Sequence, residues 1–274
     1  MKLAKSEMKT WAKENLKGIQ NCLIPSFDPD TLQLDEEGIR WDVRQTIEHG
    51  FVATLCVAEA GLSMDESKKF LKIVADEAKD DLIVSFTAMG DTINHTLEML
   101  EHAEKVGCDC AFIDYPFSFF PKSEDEIYDV TKKMCDTANL AIFLHALPKD
   151  NFMALHPSGY APSLLSRLSD IENVVAAEIT DAGLIAEYFR VCGDKIVLQC
   201  PLERFMPLMV QQFGLQLMGP GTYELYQSPE KRYLVDYFDL LLKGDYDKAM
   251  EIYWSLTPVR IPFEMKIMQM IPNG

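Results

Sequence analysis

The sequence holds no apolar run long enough to cross a bilayer, which argues against a transmembrane segment. It is short of cations: 26 Lys and Arg stand against 43 Asp and Glu, a formal net charge of -17. That imbalance repels nucleic acid and anionic membrane surfaces, and leaves small molecules or other proteins as the expected partners. No Ser/Gly-rich linker or low-complexity tract divides the chain. Metal-ligand spacing of the His-x-x-x-His kind is missing. Cys108-Asp109-Cys110 has no second Cys or His pair nearby at zinc-site spacing, so it reads as the entry to a buried strand. The first 17 residues lack the continuous apolar stretch of a secretory signal, and a cytoplasmic location is expected.

What is present reads as a globular α/β protein. Hydrophobic residues make up 48% of the chain, enough for a sizeable core, and 274 residues suit either one large α/β barrel or two ordinary domains. The 7 cysteines (Cys22, Cys56, Cys108, Cys110, Cys135, Cys192 and Cys200) are odd in number and mostly flanked by apolar residues, the pattern of buried free thiols. Short apolar runs alternate with longer amphipathic ones from residue 20 almost to residue 225, the βαβ pattern. Strands are expected at 22–25, 51–57, 82–88, 110–115, 141–147, 174–179, 196–200 and 215–218. Helices are expected between them, for example at 37–49, 65–79, 92–106, 124–138, 163–168 and 182–191. Ser63-Met64-Asp65-Glu66 and Ser123-Glu124-Asp125-Glu126 supply acceptors and negative charge at two helix starts. Eight strands with helices between them are what a (β/α)8 TIM barrel requires. The expected organisation is an N-terminal helical extension over 1–18, the barrel over 19–226, and a C-terminal helical segment over 227–274.

In such a barrel the chemistry sits at the C-terminal ends of the strands. There the run Asn173-Val174-Val175-Ala176-Ala177-Glu178-Ile179-Thr180 stands out, because it sets one carboxylate at the end of an apolar, β-prone segment. An ionised Glu in that place is costly unless it is paired, so it calls for a chemical reason. The same rule picks out Ser26, Asp28, Glu59, Thr87, Asp114, Tyr115, His145, Lys149, Thr180, Gln199, Glu203 and Tyr223.

Several pieces then occur in a telling order. Ile24-Pro25-Ser26-Phe27-Asp28 precedes Leu34-Asp35-Glu36-Glu37-Gly38-Ile39, and Glu59-Ala60-Gly61-Leu62-Ser63-Met64-Asp65-Glu66 follows. The helix over 92–107, Tyr115-Pro116 with Pro121, and Lys243-Gly244-Asp245-Tyr246-Asp247-Lys248-Ala249 complete the set. Together, from about residue 18 to residue 258, they resemble the N-acetylneuraminate lyase and dihydrodipicolinate synthase family. That resemblance implies a (β/α)8 class I aldolase, commonly assembled as a dimer or tetramer. In that family a Lys on strand six forms a Schiff base with a 2-oxo acid, and the matching position here is Glu178. A carboxylate cannot form an imine. The family's Gly-Thr-Thr-Gly-Glu loop matches Leu55-Cys56-Val57-Ala58-Glu59, without its hydroxyls. Its two tyrosines after strand four match Phe117 and Ser118, and the Tyr of Tyr-Asn-x-Pro matches His145 in His145-Ala146-Leu147-Pro148. The resemblance therefore implies the barrel of a divergent member, with neither Schiff-base chemistry nor pyruvate recognition carried over.

The expected function is a Schiff-base-independent lyase, or a related isomerase or cyclase, acting on a small polar organic substrate. Glu178 takes or returns a proton and His145, on the adjacent strand, is the complementary acid, since imidazole titrates near neutrality. Ser26, Glu59, Thr87, Tyr115, Lys149, Thr180 and Gln199 are the expected substrate contacts, with no cofactor. Lys149 is the cation placed to hold a carboxylate or phosphate, and beside Asp150 it reads equally as solvated. Cys56 reads as an apolar filler, His156 as a lid residue or nothing special, and His49 and His95 as packing or surface histidines. The run of Met250, Met265, Met268 and Met270 reads as an adaptable core or subunit surface. Two other readings stay open: a ligand-binding barrel that has lost catalysis, and a metal-dependent lyase or hydrolase with Mg, Mn, Fe or Zn on Glu59, Asp114, His145 and Glu178.

Overall fold

Parallel strands covered on both faces read as nearly continuous apolar runs, and this chain folds on that pattern. The structure is a computed structural model that describes residues 3–57, 61–146, 150–180 and 182–270. Its strands are β1 (Gly18–Leu23), β2 (Ala53–Cys56), β3 (Ile83–Ala88), β4 (Cys110–Ile113), β5 (Ala141–Ala146), β6 (Val174–Ile179), β7 (Val197–Cys200) and β8 (Leu217–Gly221). All pair in parallel and in chain order, and β1 closes the barrel on β8. At the closure Gly219 is required: a Cβ there would lie 2.3 Å from the Gln20 carbonyl oxygen. The fold is thus the (β/α)8 TIM barrel.

The intervening helices are α2 (Glu36–Glu48), α3 (Met64–Ala78), α4 (Ile93–Val106), α5 (Glu124–Thr137), α6 (Asp150–Met153), α7 (Pro162–Leu168), α8 (Ile185–Cys192) and α9 (Met206–Phe213), after α1 (Lys5–Asn15). The helix starts behave as read, with Ser63 accepting from the Glu66 amide and Ser123 from the Glu126 amide. Two elements depart from expectation. The first strand begins at Gly18 rather than Cys22, because Gln20 and Asn21 break its apolar pattern while both are buried. Helix α9 was not foreseen: six of its eight residues, Met206, Pro207, Leu208, Met209, Val210 and Phe213, are apolar, which blurs the helical period.

Helix α1 plugs the N-terminal end of the barrel. Met8, Ala12 and Leu16 are fully buried and join the inner cluster of Leu55, Phe112, Phe143, Val175 and Leu217. Burying Met8 and Leu16 contributes about 1.5–3 kcal/mol each by area. One helical turn apart, Lys5, Lys9 and Lys13 donate to the carbonyl oxygens of Cys135, Ser169 and Asp194. Those carbonyls lie at or just past the C-terminal ends of α5, α7 and α8, where unsatisfied acceptors and the negative end of each helix dipole favour a cation.

After β8 the chain forms α10 (Tyr233–Lys243), α11 (Tyr246–Ser255) and α12 (Thr257–Met270), with Gly244 in the left-handed region at the break. Arg260 of α12 is buried, pairs with buried Glu203 after β7, and lies 3.8 Å from the centroid of the Tyr253 ring. No helix among the described residues is long and apolar enough to cross a membrane.

Candidate active site at the barrel mouth

Strand alternation builds the site. On β4 the inward side chains are Cys110 and Phe112, on β5 Ala141 and Phe143, on β6 Ala176, and on β7 Val197, all in the inner apolar cluster. One more two-residue step toward the C-terminal end turns each strand from apolar to polar, at Asp114, His145, Glu178 and Gln199. His145, Glu178 and Gln199 stand side by side in the ladder.

The three ionisable groups form a line. His145 Nδ1 lies 3.2 Å from Asp114 Oδ2, and Nε2 lies 3.7 Å from Glu178 Oε2. Asp114 is 2% exposed and Glu178 4%, whereas the imidazole keeps 14% side-chain exposure and is the member open to the mouth. Asp114 Oδ1 accepts from the Tyr115 amide at 2.7 Å, and the imidazole meets Phe112 edge to face. With Nδ1–H given to Asp114, Nε2 is the basic nitrogen facing Glu178. The 3.7 Å separation exceeds a hydrogen bond.

A polar layer supports this line. Gln20 donates to Ser85 Oγ at 2.8 Å, Ser85 donates to the Thr54 carbonyl at 2.7 Å, and Gln199 donates to Gln20 Oε1 at 3.3 Å. Gln199 Oε1 and Thr180 Oγ1 are buried with no hydrogen-bond partner among the described residues. Thr180 lies two residues past Glu178 and so shares its side of the strand.

The expected contacts divide. Thr87, Thr180 and Gln199 lie at the inward ends of their strands with Glu178 and His145. Tyr115 does not: one residue past Asp114, it faces outward, where Thr131 and Tyr160 engage its hydroxyl and Phe119 and Phe152 pack on its ring. Ser26 is likewise drawn away, donating to Asp42 of α2 at 2.7 Å. Glu59 and Lys149 lie outside the described residues. Asp114, picked out at a strand end and as a possible metal ligand, meets His145 Nδ1; its two-residue step from Phe112 is the sequence signal for that placement.

The other candidates have structural roles. All 7 cysteines are free thiols, and burial pushes the Cys56 thiol far above its usual range, as suits a filler. Tyr223 donates to the Pro201 carbonyl at 2.9 Å, and His156 Nδ1 meets Ser158 Oγ at 2.7 Å. His49 stacks on Phe51. Asp114 and Glu178 sit on opposite nitrogens of one imidazole, and among the described residues no three His, Cys, Asp or Glu side chains are grouped to hold a metal ion.

Comparison with known proteins agrees with this architecture. The Dihydrodipicolinate synthetase family profile matches residues 15–259, and the chain belongs to that family of aldolase-type lyases. The 4-hydroxy-tetrahydrodipicolinate synthase of Methanopyrus kandleri is 24% identical over 249 residues, covering 89% of this chain and 80% of that protein. The same enzyme of Methanocaldococcus jannaschii is 25% identical over 248 residues, covering 89% of this chain and 81% of its own. N-acetylneuraminate lyase from Fusobacterium nucleatum shares the fold at a TM-score of 0.76 and 18% identity, over 94% of this chain and 84% of that one.

Proposed function

We propose that this chain is a lyase-type enzyme working by general acid/base chemistry, without an imine on β6, on a small organic substrate with polar groups at its reacting end. The reading rests on one observation: the line from Asp114 through His145 to Glu178 at the mouth-side ends of three adjacent strands. It is supported by β6 itself, whose six residues include Glu178 and no Lys.

In this reading a substrate atom enters between His145 Nε2 and Glu178 Oε2. Glu178 takes or returns a proton, and His145 is the complementary acid, its cationic form stabilised by Asp114. Gln199 Oε1 and Thr180 Oγ1 accept from donors on the substrate, and Thr87 adds a hydroxyl. Glu59 and Lys149 belong to the same proposal on sequence grounds. The protein is expected to be a cytoplasmic homo-oligomer, dimer or tetramer, with no resident cofactor.

Glu178→Gln should abolish turnover while circular dichroism and melting stay those of the parent; full activity in that variant sinks the acid/base assignment. Incubation with pyruvate and borohydride should leave the protein mass unchanged, and a stable adduct on a lysine would restore imine chemistry. Tight reversible ligand binding without conversion would instead make the chain a binding barrel. Chelators should leave turnover intact, and loss restored by added Mg or Mn would move the chemistry to a metal.

A further inference from the structure

We infer that the substrate carries an apolar group, aryl or branched alkyl, seated in a cavity beside the acid/base line; this deepens, and rests on, the reading of the mouth as a catalytic site. The cavity holds about 710 Å³ and lies between the loops that follow β2, β3 and β4. Its apolar wall is Leu62, Met64, Met89, Met99 and Phe117, and Ser67, Asp91, His95 and Ser118 supply a polar side. Ligand pockets run to about 300–1,000 Å³ and are mostly apolar, so both size and lining suit a small molecule. The apolar wall suits a methyl or ring surface. Methionine side chains are unbranched and polarizable and adapt to flat or branched surfaces.

The cavity reaches the reacting groups through Thr87. Thr87 forms part of its wall and stands opposite Phe112 in the ladder, the ring that His145 meets edge to face. A substrate held by its apolar end there presents its polar end toward Asp114 and His145. Of the lining, Phe117 is 78% exposed, and Phe120 on the same loop after β4 is 69% exposed. Apolar side chains grouped at one open face point to contact with something apolar. Met64 and Met89 select for the apolar group, and Phe117 closes over it.

The test is titration calorimetry with cinnamyl alcohol as the apolar probe and glycerol as the polar control. Wild-type protein should bind cinnamyl alcohol at one saturable site and leave glycerol unbound. Met89→Asp and Met64→Asp should weaken the probe by about tenfold or more, and Phe117→Ala, at an exposed position harmless to folding, by several-fold. Met265→Asp, on the outer surface of α12, should change nothing. The probe titrations read binding alone and the Glu178→Gln assay reads turnover alone, so this inference and the acid/base reading fail separately. Equal affinity in the cavity variants overturns the inference. So does a probe affinity that falls with rising protein concentration while sedimentation shows self-association, since a second copy then covers the cavity.

Discussion

A carboxylate 4% exposed among Val, Ala and Ile needs an electrostatic reason to be there, and the imidazole 3.7 Å from Glu178 is one such neighbour. Both residues were legible in the sequence, because apolar strands ending in an ionisable group are unusual. The third member, Asp114, meets the imidazole at Nδ1, where the proposed function gives it an orienting role. Asp114→Asn should lower kcat by on the order of 10²–10⁴-fold with KM little changed, and should shift the limb of the pH–rate profile that reports His145. An unchanged profile would reduce Asp114 to packing. Tyr115 and Ser26 were misread for one physical reason: nearness to a strand end in sequence does not say which way a side chain points. Tyr115 has the opposite parity to Asp114, and the chain at Ser26 has already turned back onto α2. A separate residue carries a pH signature. Burial raises the Glu224 carboxyl above its usual range, partly offset by a hydrogen bond from Asn21. A raised folded-state value makes the protein most stable below the unfolded-state value and less stable as pH rises through the folded-state one. Glu224→Gln keeps an acceptor for Asn21 and should therefore raise Tm at pH 7 more than at pH 4; the same gain at both would contradict the assignment.

At the scale of elements, the helices with strong capping chemistry and clear amphipathic period were the most readable, as at Ser63 before α3 and Ser123 before α5. Strand β1 and helix α9 were blurred for opposite reasons: β1 carries buried polar residues whose partners, Ser85 and Thr46, lie on distant elements, and α9 is apolar nearly all round. The role of α1 was also hidden. Its lysines at every fourth position serve the carbonyl ends of three different helices. Helix α12 is fixed by a buried ion pair. Arg260→Leu should cost about 3–5 kcal/mol, because it leaves Glu203 buried and unpaired, while removing both charges in Glu203→Leu/Arg260→Leu should cost less. Denaturant melts of the two variants check this, and equal losses would show that the pair itself is not what holds α12.

For the whole molecule, closure in strand order places all the βα loops at one end and so assembles a site from residues 31 and 33 positions apart, Asp114 with His145 and His145 with Glu178. Sedimentation should show a homo-oligomer, dimer or tetramer; a single species at 31.1 kDa would overturn that expectation. The sequence by itself determined the barrel class and the approximate element positions and drew the eye to Glu178 and His145, because periodicity and an out-of-place carboxylate are local signals. Only the tertiary structure decided which strand-end residues face inward, that Asp114 meets His145 Nδ1, and that Thr87 shares a cavity with Met64, Met89 and Met99. Those facts depend on register, twist and the packing of loops from different strands, which no local stretch of sequence encodes.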